Sequence, residues 1–131
     1  MKNKSIVIIC GDPKSTFNEI LIKTFKNKVL RNIGFSIVMV CSEKLFRYEL
    51  KRLNMRINLR KFKDSYSLSK NNIYIIDVPF NYKNLSVKNK NLYIKKSFDV
   101  GLNLLKENKL TLSIVESITG GNLSSEIINF P

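Results

Sequence analysis

The loop Gly11–Ser15 is the first place in the chain where residue types and spacing could do chemistry. It leads from a β-branched run into a helical stripe, and the free amides at a helix start favour anions, to which Lys14 would add positive charge. The spacing fits neither a P-loop nor a dinucleotide-binding glycine motif, and a purely structural turn would use the same residues. The candidate substrate or anion loop for a phosphorylated small molecule consists of Gly11, Asp12, Pro13 and Lys14.

Residue types that bind transition metals are scarce in this chain. It has no histidine and two cysteines, Cys10 and Cys41, and their positions do not give zinc-finger spacing. Each cysteine ends a run rich in β-branched residues, and no secretion signal precedes them. We therefore predict buried, reduced thiols rather than a disulfide, and no metal or other cofactor on this chain.

The formal net charge of +13 raises the possibility of a nucleic-acid partner. The lysines are scattered along the whole chain, and the densest basic cluster, Lys44–Lys63, lies partly on an amphipathic helix whose polar face would be solvated. No RNA-binding or DNA-binding motif accompanies it. A small basic nucleic-acid-binding module remains an alternative, and nucleic acid is not the expected partner.

The elements that must position these residues alternate along the chain. The apolar runs predict strands at Ser5–Cys10, Phe35–Val40, Ile57–Phe62, Ile73–Val78 and Leu110–Val115, with Ile57–Phe62 at an edge. The helical stripes predict helices from Thr16 to about Asn32, after a Ser42 cap, from about Leu92 to Glu107, and at the start of Gly120–Ile128. In the first helix Thr16 and Glu19 have capping-box spacing, and Phe17, Ile20, Leu21, Phe25 and Val29 form the inward face.

Strands separated by helices of this length predict right-handed crossovers and a mostly parallel sheet. The expected fold is an incomplete three-layer α/β sandwich with helices on both faces of the sheet. Ligands bind such sheets at the carboxyl ends of the strands. The loops to examine are Gly11–Ser15, Pro79–Phe80 and Glu116–Gly121.

The apolar runs predict neither a membrane helix nor a signal peptide. None approaches the roughly 20 residues of a membrane helix, and the first run is too short for a signal peptide. We expect a cytoplasmic protein without a membrane partner. A sheet without its later strands would expose an edge, which predicts a homodimer or a self-associating chain.

Three patterns recur in a fixed order in the first part of the chain. They are Ile6–Cys10 before Gly11-Asp12-Pro13 with Glu19-Ile20 in the helix, Phe35–Cys41 before Glu43–Phe46, and Ile73–Val78 before Pro79. Over about residues 5–108 this order resembles the N-terminal part of 4-hydroxythreonine-4-phosphate dehydrogenase. The resemblance implies an NAD-dependent oxidation and decarboxylation in pyridoxal phosphate synthesis, with a divalent metal held by histidines. Gly11, Asp12 and Pro13 carry over as a loop near the active cleft, with Glu19 as a helix cap.

The later segment Leu110–Gly121 contains Glu-Ser-x-Thr-Gly-Gly after a predicted strand. Over about residues 102–131 it resembles the start of the CinA C-terminal domain, a nicotinamide mononucleotide deamidase. The resemblance implies that Ser117 is the nucleophile and that Thr119, Gly120 and Gly121 form a turn for an oxyanion or a phosphate. The tyrosine and lysine of that family would follow Pro131. A Gly-Gly turn that opens a helix explains the same residues.

The two resemblances divide the chain into a dehydrogenase-like segment, 1–108, and the truncated start of a CinA-like segment, 109–131, although a single compact unit is also open. A natural fusion, a truncated gene product and a chimera all fit. The leading hypothesis is a dehydrogenase-related fragment that is inactive alone because it lacks histidine. The alternative is a truncated CinA-type nicotinamide mononucleotide amidohydrolase segment.

Overall fold

The structure is a computed structural model that describes residues 5–27, 32 and 34–107. The helices and strands within these residues are β1 (Ser5–Ile9), α1 (Phe17–Phe25), β2 (Ser36–Cys41), α2 (Glu43–Arg52), β3 (Leu59–Lys61), β4 (Ile73–Asp77) and α3 (Val87–Glu107). The predicted elements at Leu110–Val115 and Gly120–Ile128 lie outside the described residues, as does the segment 109–131.

The described strands form one sheet in the order β1-β2-β4-β3, and every neighbouring pair is parallel. β2 is central, and all six of its residues are buried, as expected of a β-branched run covered on both faces. Among the described strands β3 lies at an edge and exposes Arg60 and Lys61, which confirms the predicted edge strand.

The helices cover both faces of the sheet. On one face α1 and α2 pack through Ile22 and Phe46 against Met39 of β2. On the other face α3 packs through Tyr93 against Val40. The predicted three-layer α/β sandwich with a parallel sheet is therefore confirmed for the described part of the chain.

α1 differs from its prediction in three respects. It ends at Phe25, before the predicted end near Asn32, and Lys26 is its C-cap. The predicted capping box is wrong: Thr16 is the N-cap, but in the described chain its side chain makes no cap hydrogen bond. Its inward face also differs, because Ile20 is 57% exposed and Phe17 37% exposed. The buried residues follow the helical spacing i, i+3, i+4, i+7 and are Asn18, Leu21, Ile22 and Phe25.

The other helices follow their caps. Ser42 Oγ accepts a hydrogen bond from Leu45 N at 3.3 Å, which confirms the predicted cap of α2. α3 begins at Val87 rather than near Leu92, because Ser86 Oγ accepts from Asn89 N at 3.2 Å and extends the helix into a polar segment. In the described part of the chain, no helix combines the length and the apolar character that crossing a bilayer requires.

α3 comes closest to the sheet at Gly101. A Cβ atom built at this position would lie 2.6 Å from Ile9 Cγ1, which is shorter than real side chains allow. Glycine therefore lets α3 rest directly on β1.

Candidate functional site

A cavity of about 290 Å³ opens at the carboxyl edge of the sheet. We call it the edge cavity. One wall is polar and consists of residues 13–16, Asn18 and Glu19 from the first loop and α1, together with Glu49 and Arg52 of α2. The opposite wall is apolar and consists of Leu45, Phe80, Tyr82 and Leu85. This is the edge at which parallel α/β sheets bind their ligands.

The turn after β1 places the polar wall. Asp12 Oδ1 accepts a hydrogen bond from Lys14 N at 2.8 Å, and Asp12 O accepts one from Ser15 N at 3.1 Å. These two bonds close a tight turn directly before α1. Asp12 therefore shapes the loop with its own carboxylate, and the chain reaches the cavity from Pro13 onward.

The structure brings together only some of the predicted site residues. Of the candidate anion loop, Pro13 and Lys14 line the edge cavity, and Phe80 from the second predicted loop lines it as well. Ser117 and the turn Thr119–Gly121 lie outside the described residues, so their proposed roles stay predictions.

An ion-pair network at the polar wall joins α1 to α2. Arg52 Nη2 lies 2.9 Å from Glu19 Oε2 and 2.8 Å from Glu49 Oε2, and Lys23 Nζ lies 2.6 Å from Glu19 Oε1. The hydrogen bonds from Lys23 and then from Arg52 lower the pKa of Glu19. Glu19 is therefore an ionised, paired carboxylate rather than the predicted helix cap.

The apolar wall is held in place by aromatic contacts. The rings of Phe80 and Tyr93 lie with their centroids 5.0 Å apart at an interplanar angle of 52°. The ammonium group of Lys44 lies 5.1 Å from the centroid of the Tyr82 ring. Tyr93 of the core therefore holds the Phe80 ring, and Lys44 of α2 holds the Tyr82 ring.

Both cysteines are buried and free, which confirms the predicted reduced thiols. A hydrogen bond to Cys10, followed by burial, raises the pKa of Cys41 above its ordinary value. Burial also raises the pKa of Tyr93, whose hydroxyl oxygen accepts a hydrogen bond from Ser42 N at 2.9 Å. The thiol of Cys41 and the phenol of Tyr93 are therefore neutral, structural groups rather than nucleophiles.

These raised pKa values predict a loss of stability at alkaline pH. Their contribution is fully present below the ordinary values of 9.0 for a thiol and 10.0 for a phenol, and it is lost as the pH rises, because only the unfolded chain ionises easily. At pH 7, Tyr93→Phe should cost about 1–3 kcal/mol, since Ser42 N–H loses its acceptor. Between pH 7 and pH 11, the free energy of unfolding of the Tyr93→Phe variant should fall by about 1 kcal/mol less than that of the unmodified chain.

Urea unfolding at the two pH values measures both effects. Tyr66→Phe is the matched control, because Tyr66 is 86% exposed. Parallel losses of stability for the Tyr93→Phe and Tyr66→Phe variants between the two pH values would contradict the burial of the Tyr93 phenol as the cause.

The fold does not test the prediction that this chain binds no metal. Within residues 5–27, 32 and 34–107, no group of three or more histidine, cysteine, aspartate or glutamate side chains is placed to hold a metal ion. That the whole chain binds no metal and no other cofactor stays a prediction.

Comparison with known proteins gives one short match. No protein-family model matches the chain. A CinA-like protein of Thermotoga neapolitana is 54% identical over 37 residues, which are 28% of this chain. The chain spans about 9% of the length of this curated relative. The match supports a relationship to CinA-like proteins over a short segment, and it gives no support to the dehydrogenase resemblance.

Proposed function

We propose that the chain contributes the opening part of a CinA-type amidohydrolase that acts on nicotinamide mononucleotide. The observation that carries the proposal is the match of 37 residues at 54% identity to a CinA-like protein. The chain also contains Glu-Ser-x-Thr-Gly-Gly at residues 116–121, the pattern in which it resembles the same family. The match favours this function over the dehydrogenase, which was the leading hypothesis from the sequence.

In the proposed reaction, Ser117 Oγ attacks the carboxamide carbon of the nicotinamide ring. The carbon–nitrogen bond breaks, the nitrogen takes a proton and leaves as ammonia, and water then hydrolyses the acyl–serine ester to a carboxylate. Backbone amides of Thr119, Gly120 and Gly121 would hold the oxyanion that forms at the carbonyl oxygen. A serine hydroxyl also needs a base to accept its proton, and the CinA resemblance assigns this role to the tyrosine or lysine that would follow Pro131.

The described fold supports the proposal at the level of architecture. A parallel sheet with helices on both faces collects loops at the carboxyl ends of its strands, where α/β proteins place their sites. The predicted strand before Ser117 would end at such a loop.

The alternative of a small basic nucleic-acid-binding module receives less support from the described residues. Arg47 pairs with Glu43 at 2.8 Å, and Arg52 pairs with both Glu19 and Glu49. These arginines belong to the cluster 44–63 that suggested a nucleic-acid surface, and their charges are already neutralised by carboxylates of the chain.

The test is the release of ammonia from nicotinamide mononucleotide by a purified preparation in which this chain is joined to the CinA-type segment that supplies the base. We expect release above the blank, and a decrease on the order of a thousandfold or more for Ser117→Ala, because the nucleophile is lost. Ser113→Ala is the matched control, since it removes a nearby hydroxyl outside the motif, and it should keep the rate. No release above the blank, or equal rates for the Ser117→Ala and Ser113→Ala variants, would overturn the proposal.

A further inference from the structure

We propose that the edge cavity binds a small phosphomonoester, with the phosphate at the start of α1 and an apolar body against Phe80, Tyr82 and Leu85. The proposal rests only on described residues, and it does not depend on the amidohydrolase proposal.

Asn18 is the observation that points to a ligand. It lies in the first turn of α1, lines the edge cavity, and is only 7% exposed. Its side chain has no hydrogen-bond partner among the residues that the structure describes. In the described chain, no side-chain nitrogen or oxygen is both fully enclosed and unpartnered, so the amide opens onto the cavity. The amide is therefore accessible from the cavity, and a ligand oxygen is the partner that fits its NH₂ donor.

The start of α1 supplies further donors. Within the described residues, the Thr16 side chain at the N-cap accepts no hydrogen bond, and the backbone N–H groups of Asn18 and Glu19 have no acceptor. Phe17 N donates to Ser15 Oγ at 3.3 Å, which leaves the Ser15 hydroxyl proton available. Several N–H and O–H groups therefore converge beside Asn18, as an oxyanion requires.

The charges at the cavity fit an anion. The carboxylates of Glu19 and Glu49 are held by Arg52, and Lys23 adds a second cation to Glu19. Asp12 Oδ1 accepts a hydrogen bond from Lys14 N, and Asp12 is not among the residues that line the cavity. Lys14 is exposed, and in the described part of the chain its ammonium group has no carboxylate partner, so it can balance a phosphate.

Size and the apolar wall define the rest of the ligand. A cavity of about 290 Å³ is at the lower end of the range for small-molecule pockets, so it suits a compact ester rather than a dinucleotide. Inorganic phosphate would leave Phe80, Tyr82 and Leu85 uncovered. A phosphomonoester with an aromatic or branched apolar body would satisfy both walls.

The test is a calorimetric or NMR titration of the full chain with phenyl phosphate, inorganic phosphate and phenol at low ionic strength. We expect phenyl phosphate to bind at least about tenfold more tightly than either part alone, since only the ester contacts both walls. An absence of saturable binding at millimolar phenyl phosphate, or an affinity no better than that of inorganic phosphate, would overturn the proposal.

Two variants locate the site. Asn18→Asp keeps the size of the side chain but replaces a donor with a negative charge, and it should weaken phenyl phosphate binding about tenfold or more. Lys14 lies on the surface, so Lys14→Gln should not disturb folding. It should weaken phenyl phosphate binding severalfold. Lys63→Gln, an exposed lysine away from the cavity, is the matched control and should bind like the unmodified chain.

Ser117→Ala should also bind phenyl phosphate normally, which separates this site from the proposed amidohydrolase. If Asn18→Asp and Lys14→Gln both bound as tightly as Lys63→Gln, the edge cavity would not be the binding site.

Discussion

Replacing Phe46 with alanine is expected to lower the free energy of unfolding by about 3–5 kcal/mol. The Phe46 side chain is 0% exposed and packs from α2 into the core between the helices and the sheet, beside Ile22 and Met39. The loss combines the transfer of apolar surface with the cavity left behind. Because domains of this size are stable by only about 5–15 kcal/mol, the variant should unfold at a much lower urea concentration.

Phe17→Ala is the matched control for this loss. Phe17 lies on α1 and is 37% exposed, so the same truncation should cost about half as much as at Phe46. Similar unfolding midpoints for Phe46→Ala and Phe17→Ala would contradict the orientation of α2 against the sheet.

Replacing Gly101 with alanine is expected to destabilise the protein by about 1–3 kcal/mol through overpacking. Alanine is normally better than glycine inside a helix by up to about 1 kcal/mol, so propensity alone predicts the opposite sign. We expect the clash to outweigh this gain, because the new Cβ would lie 2.6 Å from Ile9 Cγ1, so either the Ile9 side chain leaves its rotamer or α3 moves away from β1.

A second substitution tests this cause. Ile9→Ala removes the atoms that the new methyl group meets, so Gly101→Ala should cost less, or even stabilise, in the Ile9→Ala background. Gly11→Ala is the control for glycine removal in general, since nothing lies within 4 Å of a Cβ at Gly11. Higher thermal stability for Gly101→Ala in the unmodified background would contradict the close approach of α3 to β1.

The sheet and its layers could be predicted from the sequence because their signal is local. The run Ile37–Val40 is β-branched and apolar at nearly every position, which suits a strand without a solvent face. Ile73–Asp77 carries a similar signal, and the alternation over Ile57–Phe62 indicates an edge. Helices between such strands leave few topologies open.

The edge cavity could not be predicted in the same way, because it depends on contacts between distant elements. Glu19 has capping-box spacing, yet Arg52 of α2 competes for its carboxylate at 2.9 Å. Asparagine is usually a surface residue, but the position of Asn18 on α1 places it on the buried face of the helix. No local pattern distinguishes a buried asparagine at a helix start from a solvated one.

The predicted start of α3 near Leu92 is wrong for a related reason. Four of the five α3 residues before Leu92 are lysine or asparagine, so hydrophobic periodicity gives no helical signal there. The side-chain amide of Asn89 donates to the carbonyl oxygen of Asn81 at 3.1 Å, and this bond ties the first turn of α3 to the preceding loop. Side-chain to backbone bonds of this kind fix a helix start without any apolar pattern.

The two buried cysteines make local opening of the fold measurable. Cys10 is 3% exposed and Cys41 1% exposed, and the chain contains no other cysteine. An alkylating reagent can therefore reach sulfur only when the ends of β1 and β2 separate from the helices that cover them. The rate of alkylation in native buffer would report the free energy of that local opening without any added label.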